Sequence, residues 1–109
     1  MNNFGAQDMV SSLQKVLMKK PEKIMSKVDL KKWNYVSPLN QKIIEENYSE
    51  FYEIIKNSGT EIINLNIESQ NEELCDSIFT HDPSLVINEG ALILNMGKKL
   101  RKNETKDIK

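Results

Sequence analysis

A chain of 109 residues supplies one small domain with a modest core and is too short for two. Its 15 basic and 16 acidic residues cancel, so no net field draws it to nucleic acid, another polyanion or an anionic membrane. No apolar run approaches bilayer-spanning length, the start lacks a charged and then apolar leader, and the lone Cys75 cannot form an internal disulfide; together these features predict a cytoplasmic protein in a reducing compartment.

Residues 1–12 are polar and unpatterned and read as a flexible N-terminal arm, leaving 13–109 as a single α/β domain. Leu13, Val16, Leu17 and Met18 predict a first buried strand ending before Pro21. The Lys-rich stretch from Pro21 to Tyr35 is too long for a tight turn and reads as a loop of the kind that carries function. Ser37-Pro38 predicts a helix start, with serine capping free amides and proline at the first helical position. The helix should run to about Asn57, since Leu39, Ile43, Ile44, Phe51, Ile54 and Ile55 share one arc and the charged residues mostly fill the other; Gly59 supplies the left-handed ending.

The β-branched run Glu61–Ile67 predicts a second strand, and the order strand, helix, strand favours a parallel pair with a right-handed crossover. An acidic polar loop follows over residues 69–74. Ser84–Ile87 and Ala91–Asn95 predict a hairpin joined by the three residues Asn88-Glu89-Gly90, with Ile87 opposite Ala91 and Asp82 near Met96. Its two faces are both apolar and should both be covered. Asn103-Glu104-Thr105 could open another helix, and the ending reads as a truncation.

The chemistry concentrates between Asp76 and Arg101, the chain's only arginine. Two carboxylates and one guanidinium suit a small zwitterion, the carboxylates for its cationic group and the arginine for its carboxylate. On an extended strand Asp76 and Asp82 would sit roughly 20 Å apart, at about 3.3 Å per residue, and could not grip one small group. A bent loop before Pro83 is therefore expected to bring them together. Arg101 should curl back toward Asp82 by way of Gly97, across a gap sized for an amino acid. The plainer alternative is a solvated Arg101, or one paired directly with Asp82.

Asp76-Ser-Ile-Phe-Thr-His-Asp-Pro-Ser-Leu-Val, Gly90-Ala-Leu-Ile-Leu-Asn-Met-Gly97, Arg101 and Glu104 together closely resemble the N-terminal part of the guanidine-modifying superfamily. This group comprises the dimethylarginine dimethylaminohydrolases, arginine deiminases, citrulline hydrolases and glycine amidinotransferases. Leu13–Pro21 looks like its opening strand and Ser58–Ile63 like its helix-to-strand junction. The resemblance implies an incomplete pentein-like α/β propeller, with this chain supplying the first ββαβ unit of five and the start of the next. It also implies that Asp82 holds the substrate guanidinium, Asp76 makes a second acidic contact and Arg101 binds the substrate carboxylate. His81 stands where some dimethylarginine hydrolases carry glutamate, which weighs against methylarginine as substrate.

The implied function is the substrate-binding portion of a hydrolase or amidinotransferase acting on the guanidino or ureido carbon of an arginine-, dimethylarginine- or citrulline-like compound. Such chemistry needs a late cysteine nucleophile and a histidine acid/base, which these 109 residues do not provide, so no catalytic residue is assigned and the chain alone is expected to be inactive. The alternative is a non-catalytic stand-alone binding or interaction protein of the same descent, relying on self-association or on a missing C-terminal portion. Cys75 lacks the motif context of a nucleophile and reads as a bystander. No second His or Cys stands at zinc spacing from His81, so neither metal nor cofactor is expected. Tyr48, Phe51 and Tyr52 read as helix packing, Trp33 and Tyr35 as loop residues near the substrate entrance, and Lys19-Lys20 and Lys98-Lys99 as solvated charge.

Overall fold

The computed structural model describes residues 5–66 and 74–108 and shows a mixed α/β arrangement. Strand β1 (Lys15–Met18) pairs in parallel with β2 (Glu61–Asn64), Lys15 opposite Glu61 and Met18 opposite Asn64. The parallel pair is as the sequence predicts, though both strands are shorter. Ile67 and residues 69–73 of the acidic loop lie outside the described residues. Two side-chain anchors reinforce the register: Lys15 Nζ meets the Glu61 carboxylate at 3.2 Å, and the Thr60 hydroxyl donates to the Leu13 carbonyl at 3.0 Å.

Between β1 and β2 runs a long helix, and ahead of it a shorter one. The segment from Pro21 to Tyr35 is folded, not an open loop. It forms a 3-10 turn at Lys23–Ser26 and then helix α1 (Leu30–Trp33). A four-residue helix needs both ends satisfied, and here Asp29 accepts from the Lys32 amide at 3.0 Å while Asn34, at φ 60°, takes the left-handed position that ends it. Helix α2 (Gln41–Asn57) begins later than the Ser37-Pro38 signal suggests, because the Asn40 side chain accepts from the Ile43 amide at 3.2 Å and sets the first turn there. It ends as expected, with Gly59 at φ 86°, a conformation that disfavours any side chain.

The core is small and centred on Trp33, which is 1% exposed, with Met25, Val28 and Cys75 around it and Tyr35, Leu39, Ile44, Ile78 and Leu100 packed against them. Trp33 is thus a core residue and not an entrance residue. Lys19 is likewise not solvated: it is buried and ion-paired with Glu22. The amphipathic arc of α2 is only half covered. Ile44, Tyr48, Tyr52 and Ile55 turn inward, whereas Ile43, Phe51 and Ile54 are more than half exposed.

Strands β3 (Ser84–Ile87) and β4 (Gly90–Ile93) form the hairpin one register step away from the sequence expectation. Ile87 pairs with Gly90 and Leu85 with Leu92, so the loop is the two residues Asn88 and Glu89. Two-residue loops match the twist of the flanking strands, and Gly90 at φ 149° is absorbed into β4 instead of serving as a third loop residue. The faces of the hairpin are only partly covered, leaving Leu85, Val86, Leu92, Ile93 and Leu94 exposed. The arm approaches this hairpin: a Cβ on Gly5 would lie 2.7 Å from the Asn88 Cα. Helix α3 (Glu104–Asp107), a single turn, follows where Asn103-Glu104-Thr105 signals the opening of a helix.

A candidate anion and cation site around Arg101

Residues 74–83 form no strand. Successive turns, with Ser77 N–H donating to Leu74, Phe79 to Asp76 and Asp82 to Phe79, coil the segment, but the coil does not bring the two carboxylates onto one group. The Thr80 hydroxyl ties this coil to β1 through the Leu17 carbonyl at 2.9 Å. Pro83, fully buried, closes it, and its carbonyl accepts from the Leu94 amide at 2.9 Å, which delivers the chain into the hairpin. The register directs Asp82 toward Asn95 and not Met96.

Arg101 returns to this coil on a 3-10 turn, Lys99–Arg101. Gly97 does not take a positive φ, so the return uses backbone that any residue adopts. The guanidinium is held from two sides by four of its five N–H donors. Nε and Nη2 donate to the two oxygens of Glu104 at 2.8 and 2.7 Å, a fork-to-fork pair, and Nη2 also donates to the Asp76 carbonyl at 3.3 Å. Nη1 donates to Asp82 at 2.7 Å. The Arg101 side chain is 11% exposed, that of Glu104 1% and that of Asp82 44%, so the buried partner holds the arginine and the exposed one faces solvent. Burial pushes the Arg101 pKa down, but the Glu104 and Asp82 contacts outweigh it and the guanidinium is held more firmly protonated than usual.

Asp76 and Asp82 are near Arg101 in different ways. Asp82 meets it through its carboxylate, Asp76 through its backbone, and the Asp76 carboxylate points into a second, buried network. There it accepts from the Tyr35 hydroxyl, from Lys98 Nζ at 3.2 Å and from the Cys75 thiol at 3.6 Å. Burial opposes its charge, yet the Tyr35 and Lys98 hydrogen bonds prevail and keep its pKa below the usual carboxylate value. Tyr35 shifts upward through burial and the adjacent carboxylate, and the Cys75 thiol is pushed up to about 12, chiefly by burial.

Lys98 therefore works as a strut and not as solvated charge. It also donates to the Trp33 carbonyl at 3.2 Å, satisfying the last turn of α1, and lies 4.6 Å from the Trp33 ring centroid. The sequence points to Asp76, Asp82 and Arg101 and overlooks Tyr35, Lys98 and Glu104 as their supports. Only Glu104 left a local signal, its spacing three residues after Arg101. His81 is exposed beside Asp82. Among the described residues no group of three or more His, Cys, Asp or Glu is placed to hold a metal ion, and no helix is long and apolar enough to cross a membrane.

Arg101 lies 5.9 Å from the Phe79 ring centroid, and Phe79 also borders a groove of about 330 Å³ between β1 and α2. Leu13, Val16, Leu17, Tyr48, Phe51 and Ile55 line it; its one charged residue, Lys19, is already paired with Glu22, and the buried Tyr48 hydroxyl has no hydrogen-bond partner among the described residues. Compared with models of known families, with curated proteins and with solved structures, the chain matches none. The Arg101 cluster therefore bears the functional argument alone.

Proposed function

We propose that this chain is the substrate-binding N-terminal portion of a hydrolase acting on the guanidino or ureido carbon of an arginine- or citrulline-like compound, with the pentein-like propeller as its complete architecture. The supporting observation is that Asp82 and Arg101, nineteen residues apart, meet at the surface with opposite charges while Glu104 and the Asp76 carbonyl fix the guanidinium from behind. In this reading Asp82 takes the ligand's cationic end and Arg101 its carboxylate. Asp76 contributes mainly by holding the coil, since Tyr35 and Lys98 occupy its carboxylate. The chain alone binds without turnover, because rate enhancement needs groups that act in the transition state.

Calorimetric titration with L-arginine, L-citrulline and dimethylarginine tests this. Saturable binding of at least one is expected; no binding of any of the three overturns the reading. A second reading, an interaction protein of the same descent, draws on the partly uncovered faces of α2 and the β3–β4 hairpin. Sedimentation velocity tests the incomplete propeller that both readings share: a stable, compact monomer argues against it, and self-association supports it.

A further inference from the structure

We propose that the Asp82–Arg101 ion pair is a ligand-exchanged latch that favours a molecule able to replace both of its charges at once. This inference rests on the proposed guanidino or ureido amino-acid ligand but concerns how the site discriminates among such ligands. The sequence favours an open gap between arginine and carboxylate and offers a direct Asp82–Arg101 pair as the plainer alternative; the structure has the direct pair, at 2.7 Å.

The geometry restricts which bond can change. Nε and Nη2 are committed to a carboxylate that is 1% exposed and to a main-chain carbonyl, neither of which can leave without unfolding the turn that carries it. Among the described residues the one partner of Nη1 is Asp82, whose side chain is 44% exposed and can rotate into water. Phe79 and the coil at 76–82 support the guanidinium without supplying a competing anion at Nη1. A ligand bearing a carboxylate and a guanidinium breaks one charge-assisted bond and makes two, with its carboxylate taking Nη1 and its cation taking Asp82. A ligand with only one charge breaks one and makes one, leaving either Asp82 or the Nη1 edge without its counter-charge. The latch thus rejects singly charged molecules by about the strength of an exposed ion pair, on the order of fivefold in affinity.

The test uses three matched probes: δ-guanidinovalerate with both charges, valerate with the carboxylate only, and butylguanidine with the cation only. Because Arg101 is the only arginine, its Nε–H gives a single nitrogen-edited NMR signal that reports binding directly. In the unaltered protein δ-guanidinovalerate should bind tightest. In Asp82→Asn, where the latch is absent, valerate should bind about fivefold tighter than before and so approach δ-guanidinovalerate, whose net count of charge-assisted bonds is unchanged. Asp82→Ala, a second substitution at the same exposed position, should give the same convergence. Valerate affinity that Asp82→Asn leaves unchanged overturns the latch, whatever the other probes do. If δ-guanidinovalerate fails to bind the unaltered protein while valerate gains in Asp82→Asn, the latch stands and the guanidino-acid reading of the site falls.

Discussion

Replacing Glu104 by glutamine removes one charge from a pair in which both side chains are nearly inaccessible, 11% for Arg101 and 1% for Glu104. Glutamine keeps the shape and one carbonyl acceptor, but the arginine charge loses its buried counter-ion and retains only the half-exposed Asp82. Breaking a buried pair by removing one partner costs about 3–5 kcal/mol, whereas replacing both partners by apolar residues is often neutral or better. A small domain holds only about 5–15 kcal/mol in total, so Glu104→Gln should remove much of the stability. Urea unfolding followed by Trp33 fluorescence is the natural assay, since the only tryptophan sits in the core beside Lys98. At an m-value of about 1–3 kcal/mol/M the midpoint should drop by roughly 1–5 M. The double variant Arg101→Met/Glu104→Leu should recover most of that loss. A Glu104→Gln cost below about 1 kcal/mol, or a double variant no better than the single, would refute the assignment of Glu104 as the buried support of Arg101.

Tyr35→Phe deletes the hydroxyl that donates to Asp76 and should cost about 1.5–3 kcal/mol by urea unfolding; a neutral result would remove Tyr35 from the network. Because the Asp76 pKa is lowered on folding, its contribution is fully present above the ordinary value of 3.8 and is lost as pH falls through the folded value. The urea midpoint should therefore decline on acidification, and Asp76→Asn should flatten that decline. Cys75, buried with its thiol pushed up to about 12, should react with iodoacetamide at about pH 8 at least a hundredfold more slowly in the folded protein than in urea, and equal rates would contradict its burial. Ile54→Lys and Leu92→Lys, on the partly uncovered helix and hairpin faces, should change stability by less than about 0.5 kcal/mol while reducing any self-association seen in sedimentation.

Local signals in the sequence carried the elements with local causes. The parallel β1–β2 pair followed from two apolar runs flanking a helix, and the end of α2 from Gly59, whose φ of 86° confirms why glycine is there. Where two local signals competed, the reading slipped. Ser37-Pro38 and Asn40 can both open a helix, and the Asn40 side chain won because it reaches the Ile43 amide. Gly90 serves a three-residue loop or a strand end equally well, and the one-residue shift it allowed moved the expected partner of Asp82 from Met96 to Asn95.

Burial of charge was the least legible feature. Lys19 and Lys98 stand beside other lysines and look solvated, yet one is buried with Glu22 and the other bridges Asp76 and Trp33. Lysine reveals such a role only through partners distant in sequence, and Lys98 lies 22 residues from Asp76 and 65 from Trp33. The same distance effect hid the division of labour between the two aspartates. Nothing near Asp76 in the sequence indicates that Tyr35, 41 residues away, occupies its carboxylate and leaves Asp82 as the acid that faces outward.

The most direct test of the account is a crystal structure of the protein grown with L-arginine. The account predicts the ligand carboxylate on Arg101 Nη1 and the ligand guanidinium on Asp82, with that pair parted and the Glu104 fork intact. A ligand absent or bound elsewhere, with Asp82 and Arg101 still joined at 2.7 Å, would contradict it.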